Sequence, residues 1–152
     1  MKLSTKGRYA MIALVDLALQ GNERLVSLVE ISERQNISLP YLEQLFVKLR
    51  RSGIVSSVRG PSGGYRLSDN AESLRISEIL CAVDEGMDAM SRGAGATGAT
   101  PETQANILTD KLWEQLSANV YVFLHQTRLS DIIFEQMMPC PAVPAFVELV
   151  DE

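Results

Sequence analysis

Between Ile54 and Leu67 the chain reads IVSSVRGPSGGYRL. Two short, partly β-branched runs flank a turn holding three glycines and a proline, which is the pattern of a β-hairpin. The glycines admit positive φ and keep the tip slim enough to approach a duplex closely. Arg59 stands on one side of the turn and Arg66 on the other. A slim tip between cations suits a polyanion, and Arg59, nearer the tip, suits a minor groove. GPSGG is not a P-loop, since it lacks the lysine and the following helix.

What precedes the hairpin limits the folds that can contain it. Residues 4–20 read as a helix, apolar on nearly every side and so well buried, with Ser4 as cap and Gly21 as stop. A second helix begins at Ser27. Ser27-Leu28-Val29-Glu30 is a capping box, and Leu28 and Ile31 face inward. This helix ends near Gln35, and Asn36 suits the left-handed turn that follows. Ser38 can cap a third helix, with Pro40 tolerated in its first turn. Leu42, Leu45, Phe46 and Leu49 fall at i, i+3, i+4 and i+7, a core stripe. Pro40, Tyr41, Glu43, Gln44, Lys48 and Arg51 fall on the opposite face, and Gly53 ends the helix.

Taken alone, the two helices also fit a plain helical hairpin with a wet polar face. Followed at once by a β-hairpin, they form a winged helix-turn-helix, whose second helix enters the major groove. There Gln44 can read adenine, and Glu43 can accept from cytosine N4.

Charge supports the same half of the chain. The net charge is −5, but residues 1–68 hold ten Lys/Arg against five Asp/Glu, a balance of +5. Residues 69–152 hold four against fourteen, a balance of −10. Affinity for a polyanion follows local positive charge rather than the total.

The segments LSTKGRYA, ISERQNISLPYLEQLF and VSSVRGPSGGYRLS closely resemble the bacterial winged-helix iron–sulfur transcription regulators. The resemblance is strong over residues 1–86 and weak beyond. It implies a homodimer on double-stranded DNA. Ser38, Tyr41, Glu43 and Gln44 would face the major groove and Arg59 the minor groove. It also implies an iron–sulfur cluster, of [2Fe–2S] type. The chain departs from the resemblance at Pro40, where relatives can carry a small polar residue. It departs further in the cluster region. Relatives with a cluster use three cysteines and a histidine in the loop and at the start of the long helix. Here the loop has neither residue type, and Asp110 stands where the histidine would be.

The second half reads more thinly. Ile76, Ile79, Leu80 and Val83 form a short helical core stripe with Ser77 as cap, and Cys81 lies off that stripe beside Asp84 and Glu85. Acidic neighbours raise a thiol pKa, so Cys81 suits an inert role better than a nucleophilic one. Residues 88–106 are rich in Gly, Ala and Thr, as a flexible loop is. From Asn106 to Gln126 a long helix carries Ile107, Leu108, Trp113, Leu116, Val120, Phe123 and Leu124. That is more apolar surface than a small winged helix needs, which points to dimerisation.

The expected architecture is therefore mostly α. A winged helix-turn-helix DNA-binding domain occupies residues 1–86, a flexible loop 87–105, and a dimerisation helix with a C-terminal tail 106–152. The soft ligands left for a cluster are Cys140, between Pro139 and Pro141, Cys81, and the single His125, with carboxylates such as Asp84 and Asp110 to complete the set. No nucleophile–base pair, paired-carboxylate motif or metal triad suggests an enzyme. Asp16 interrupts the apolar run at the start, which reads as a helix of a soluble cytoplasmic protein rather than a leader. Two functions remain open. One is a repressor of iron–sulfur or iron-metabolism genes that senses through a labile cluster. The other is a cluster-free repressor or thiol-based sensor.

Overall fold

The computed structural model describes residues 4–85 and 103–137. Helices α1 (Thr5–Leu19), α2 (Leu28–Gln35) and α3 (Leu39–Arg51) come first. The antiparallel strands β1 (Val55–Val58) and β2 (Gly64–Leu67) follow, then α4 (Ile76–Ala82), α5 (Gln104–Gln126) and α6 (Leu129–Ile133). This is the mostly-α winged helix-turn-helix with a long C-terminal helix that the hairpin pattern predicts.

One apolar core holds these elements together. Ala10, Ala13 and Leu14 of α1, Ile31 of α2, and Leu42, Phe46 and Leu49 of α3 are wholly buried. They meet Ile79 of α4 and Val83 just beyond it. Phe46 packs edge-on against Tyr65 at 4.9 Å, so α3 and the root of the hairpin share one contact. The strands pair Val55 with Leu67 and Ser57 with Tyr65, which turns Val55 and Leu67 into the core.

Several local expectations are corrected by long-range contacts. Helix α1 is buried on one face only, with Ile12 and Leu19 exposed. Ser4 occupies the N-cap position, but its side chain caps nothing and instead donates its hydroxyl to Glu85. The Ser38 side chain likewise makes no capping bond to α3. Ser77 is not the cap of α4. That position is Arg75, while Ser77 is buried inside the helix with its hydroxyl 3.1 Å from His125 Nδ1. The Ser4 and Ser77 hydroxyls have partners that local sequence does not show.

Helix α5 starts at Gln104, where the Thr103 hydroxyl accepts from the Asn106 amide at 3.2 Å. After α5 the chain returns to the domain. Leu129 of α6 is fully buried in the core, and Arg75 and Arg128 form an isolated antiparallel bridge. Sequence reading missed α6.

Candidate nucleic-acid interface

The helix-turn-helix is built by matched local signals. At the start of α2 the Ser27 hydroxyl accepts from the Glu30 amide at 3.2 Å, and the Glu30 carboxylate accepts from the Ser27 amide at 2.9 Å. That backbone hydrogen bond, with the nearby Ser27 hydroxyl and the Arg24 and Arg34 charges, holds the Glu30 pKa below its ordinary value. At the other end Asn36 adopts φ 52°, the left-handed conformation a tight turn needs. The Ser32 hydroxyl then donates to the Ile37 carbonyl at 2.6 Å, closing the turn.

A buried carboxylate sets the angle of this unit on α1. Asp16, only 4% exposed, accepts from Arg34 Nε at 3.0 Å, Arg34 Nη2 at 2.6 Å and Gln35 Nε2 at 2.6 Å. Burial alone would raise the Asp16 pKa, but these hydrogen bonds and the Arg34 charge hold it below its ordinary value.

On α3, Ser38, Pro40, Glu43 and Gln44 are exposed along the N-terminal half of the helix. Tyr41 is half-buried, its ring edge-on to Tyr9 of α1 at 5.7 Å. Lys48, one turn beyond Gln44, is held by Asp84 at 2.5 Å. This ion pair gives α3 a contact that no local pattern announces. The hydrogen bond and charge of Lys48 lower the Asp84 pKa.

The neighbouring Glu85 is buried and closes the N-terminus of α1. It accepts from the Ser4 hydroxyl, from the Ser4 amide at 3.2 Å and from the Gly7 amide at 2.9 Å. A Cβ on Gly7 would stand 2.8 Å from a Glu85 oxygen, so glycine lets the carboxylate approach this closely. Burial pushes the Glu85 pKa up, but these donors and the Lys6 charge bring it below the ordinary value.

The wing places Arg59 and Arg66 in solvent. Gly60 at its tip has φ 119°, and a Cβ on Gly63 would collide with the Val58 carbonyl. The turn therefore requires glycine at both positions. The described residues thus set the exposed polar face of α3 and a cationic wing on one domain.

The metal-ligand candidates are not gathered in this way. Cys81 is exposed on α4. His125 stacks on Tyr121 at 5.4 Å, and its Nδ1 lies against the Ser77 hydroxyl. Asp84 is committed to Lys48, and Cys140 lies outside the described residues. Among the described residues no three of His, Cys, Asp and Glu come together as a metal site.

Residues 3–135 match the Rrf2 family, described as "Iron-dependent Transcriptional regulator". The chain belongs to the Rrf2 family. Rrf2 proteins are regulators of transcription, and the chain is a DNA-binding regulator of this kind and not an enzyme. It is 68% identical over 155 residues to the HTH-type transcriptional regulator IscR of Cereibacter sphaeroides, covering 100% of this chain and 99% of the relative. It is 48% identical over 135 residues to the IscR of Vibrio campbellii, covering 88% of this chain and 77% of that protein. Among solved Rrf2-like structures, T. potens IscR superposes with a TM-score of 0.69 at 33% identity, over 92% of this chain and 94% of that one. CymR, the global cysteine regulator of B. subtilis, gives 0.73 at 29% identity, over 89% and 98%. Among the described residues no helix is long and apolar enough to cross a membrane.

Proposed function

We propose that the protein is a cytoplasmic, homodimeric repressor of iron–sulfur cluster or iron-metabolism genes. In this reading α3 enters the major groove of double-stranded DNA, with Ser38, Tyr41, Glu43 and Gln44 facing base edges. Arg59 enters the adjacent minor groove. The observation that carries the reading is the pairing of exposed polar residues on α3 with a glycine-tipped cationic wing packed on the same core. The likeness to IscR proteins along the whole chain supports the choice of genes.

The dimer rests on α5. None of its residues is buried, although Leu112, Trp113, Leu116 and Phe123 are large and apolar. A helix that stays apolar and uncovered in one copy suits a two-fold interface with a second copy.

The described residues do not fit an iron–sulfur cluster: they supply one thiol, Cys81, and it lies in no cluster of ligands. A [2Fe–2S] group would have to take Cys140 as its thiolate and draw further ligands from beyond the described residues. The cluster-free or thiol-based regulator is kept as the second reading because the one described thiol is exposed.

Two measurements test these readings. The wild-type protein should select a defined duplex from a random library and bind it with a steep salt dependence. Weak binding to all duplexes alike would remove sequence-specific regulation. Anaerobic reconstitution with iron analysis should give visible absorbance that Cys140→Ser abolishes. A protein that never takes up iron leaves the cluster-free regulator.

A further inference from the structure

A cleft of about 390 Å³ lies between the wing and the start of α2. Arg50, at the end of α3, and Arg59, at the wing tip, both line it. Elsewhere in this half of the chain Arg24, Arg34 and Lys48 are each held by a carboxylate. Arg50 and Arg59 have no acidic partner among the described residues, and no acidic side chain lines the cleft.

The walls add hydroxyl groups. Ser57 and Tyr65 face each other across the hairpin, so their side chains lie on one side of it and both line the cleft. The Ser27 hydroxyl also borders the cleft but is committed to the α2 cap. The lining side chains are cationic, hydroxylic or apolar, with no carboxylate and no amide. A base edge presents mixed donors and acceptors, whereas a phosphate presents acceptors only. The lining therefore matches an anion.

The cleft is also preformed. Val26 and Tyr65 exchange backbone hydrogen bonds of 2.9 and 2.7 Å, tying the wing to the start of α2. A Cβ on Gly64 would stand 2.7 Å from the Val26 carbonyl oxygen, so glycine permits this closeness. Tyr65 is braced on Phe46 from behind. Little ordering entropy is left to oppose a ligand.

We propose that this cleft seats one backbone phosphodiester of the bound duplex, with Arg50 as its principal cation and the Ser57 and Tyr65 hydroxyls as further donors. The inference rests on the DNA-binding function proposed above. Seated there, a phosphate fixes the wing's depth, so that Arg59 reaches the groove from a set distance. Arg50 then positions the duplex without reading sequence.

The test uses the full chain, a duplex selected by the wild-type protein, and a scrambled duplex of equal length, titrated across a salt series. Arg50→Ala and Arg50→Gln should weaken both duplexes by a similar factor, on the order of tenfold at low salt, and reduce the salt slope by about one. Arg50→Lys should keep the slope. Arg50 is exposed, so unchanged thermal melting should accompany each variant. Unchanged affinity and slope would overturn the phosphate seat. So would a loss confined to the selected duplex, because that is base reading. Inorganic phosphate is compared with chloride at equal ionic strength. If phosphate displaces DNA better from the wild type than from Arg50→Ala, at concentrations too low for screening, the site takes free phosphate instead. A wild-type protein that binds no duplex overturns the DNA-binding function itself, which the other outcomes leave standing.

Discussion

The α3–wing unit and α5 are built on opposite plans. Beneath α3, Leu42, Phe46 and Leu49 are sealed in the core, and what faces solvent is mostly polar or charged, with Val47 and Val58 the exposed large apolar residues. Along α5, Leu112, Trp113, Leu116, Tyr121 and Phe123 are exposed, and no residue is buried. The first unit is complete in one copy and presents chemistry for a polyanion. The second leaves large apolar side chains uncovered in one copy, the surface that the proposed dimer would bury. A regulator that reads two-fold sites needs both kinds of surface, and here they lie on separate elements.

The strongest way to break this contrast is to charge α5. Trp113→Glu with Leu116→Glu should leave a monomer by light scattering at micromolar concentration. Burying one such side chain is worth about 1.5–3 kcal/mol, and a two-fold interface counts each residue twice. Melting of the domain core should barely change, because neither residue contributes to it. A dimer that survives both substitutions would mean that α5 is not the interface.

The converse variant strikes the finished unit. Phe46→Ala removes a wholly buried ring that packs on Tyr65, at a cost of about 3–5 kcal/mol. Chemical denaturation should show that loss together with loosening of the wing. A loss below about 1 kcal/mol would mean that the core re-closes around the site.

Next in size come the groove contacts. Arg59→Ala should weaken binding to a selected duplex by about 1–3 kcal/mol. Glu43→Ala should relax sequence choice instead, since a carboxylate among phosphates is repulsive except where it meets a cytosine amine. Gel shifts on a panel of single-base variants separate the two effects. If Glu43→Ala bound only the original sites, with no gain on others, Glu43 would have no discriminating role.

How legible each plan was in the sequence follows from the range of its contacts. The capping box, the left-handed Asn36, the Leu42–Leu49 stripe and the glycine tip act within a few residues, and sequence pattern shows such signals directly. The roles of Ser4, Ser77 and Glu85 have no local signature, because their partners lie 48 to 81 residues away. Helix α6 escaped notice because five residues are too few to show a period, although Leu129 is fully buried. The Lys48–Asp84 pair joins residues 36 apart and has no sequence signature. The apolar excess of α5 was legible as excess, but a single chain cannot show what covers it. The contrast between ten and four basic residues in the two halves is visible in the sequence alone, and the exposed polar residues of α3 and the cationic wing lie in the basic half.

The smallest expected effect is the acid dependence of the finished unit, and its sign follows from Asp16. In the folded domain the hydrogen bonds from Arg34 and Gln35, with the Arg34 charge, outweigh burial and hold the Asp16 pKa below its unfolded value. A carboxylate so depressed stabilises the fold fully above its unfolded pKa, near 4, and loses that contribution as pH falls through the lower folded value. Glu30 and Glu85 are depressed in the same direction and add to the same loss. Between pH 8 and 6 the urea midpoint should therefore hold steady, and below about pH 4 it should fall. Asp16→Asn keeps the shape of the side chain and removes its titration. It should lower the midpoint at neutral pH, because Arg34 loses its anion, and make the acid decline shallower without abolishing it. If the variant declined as steeply as the wild type, Asp16 would not be the group that titrates. The angle of α2 and α3 on α1 would then rest on apolar packing alone.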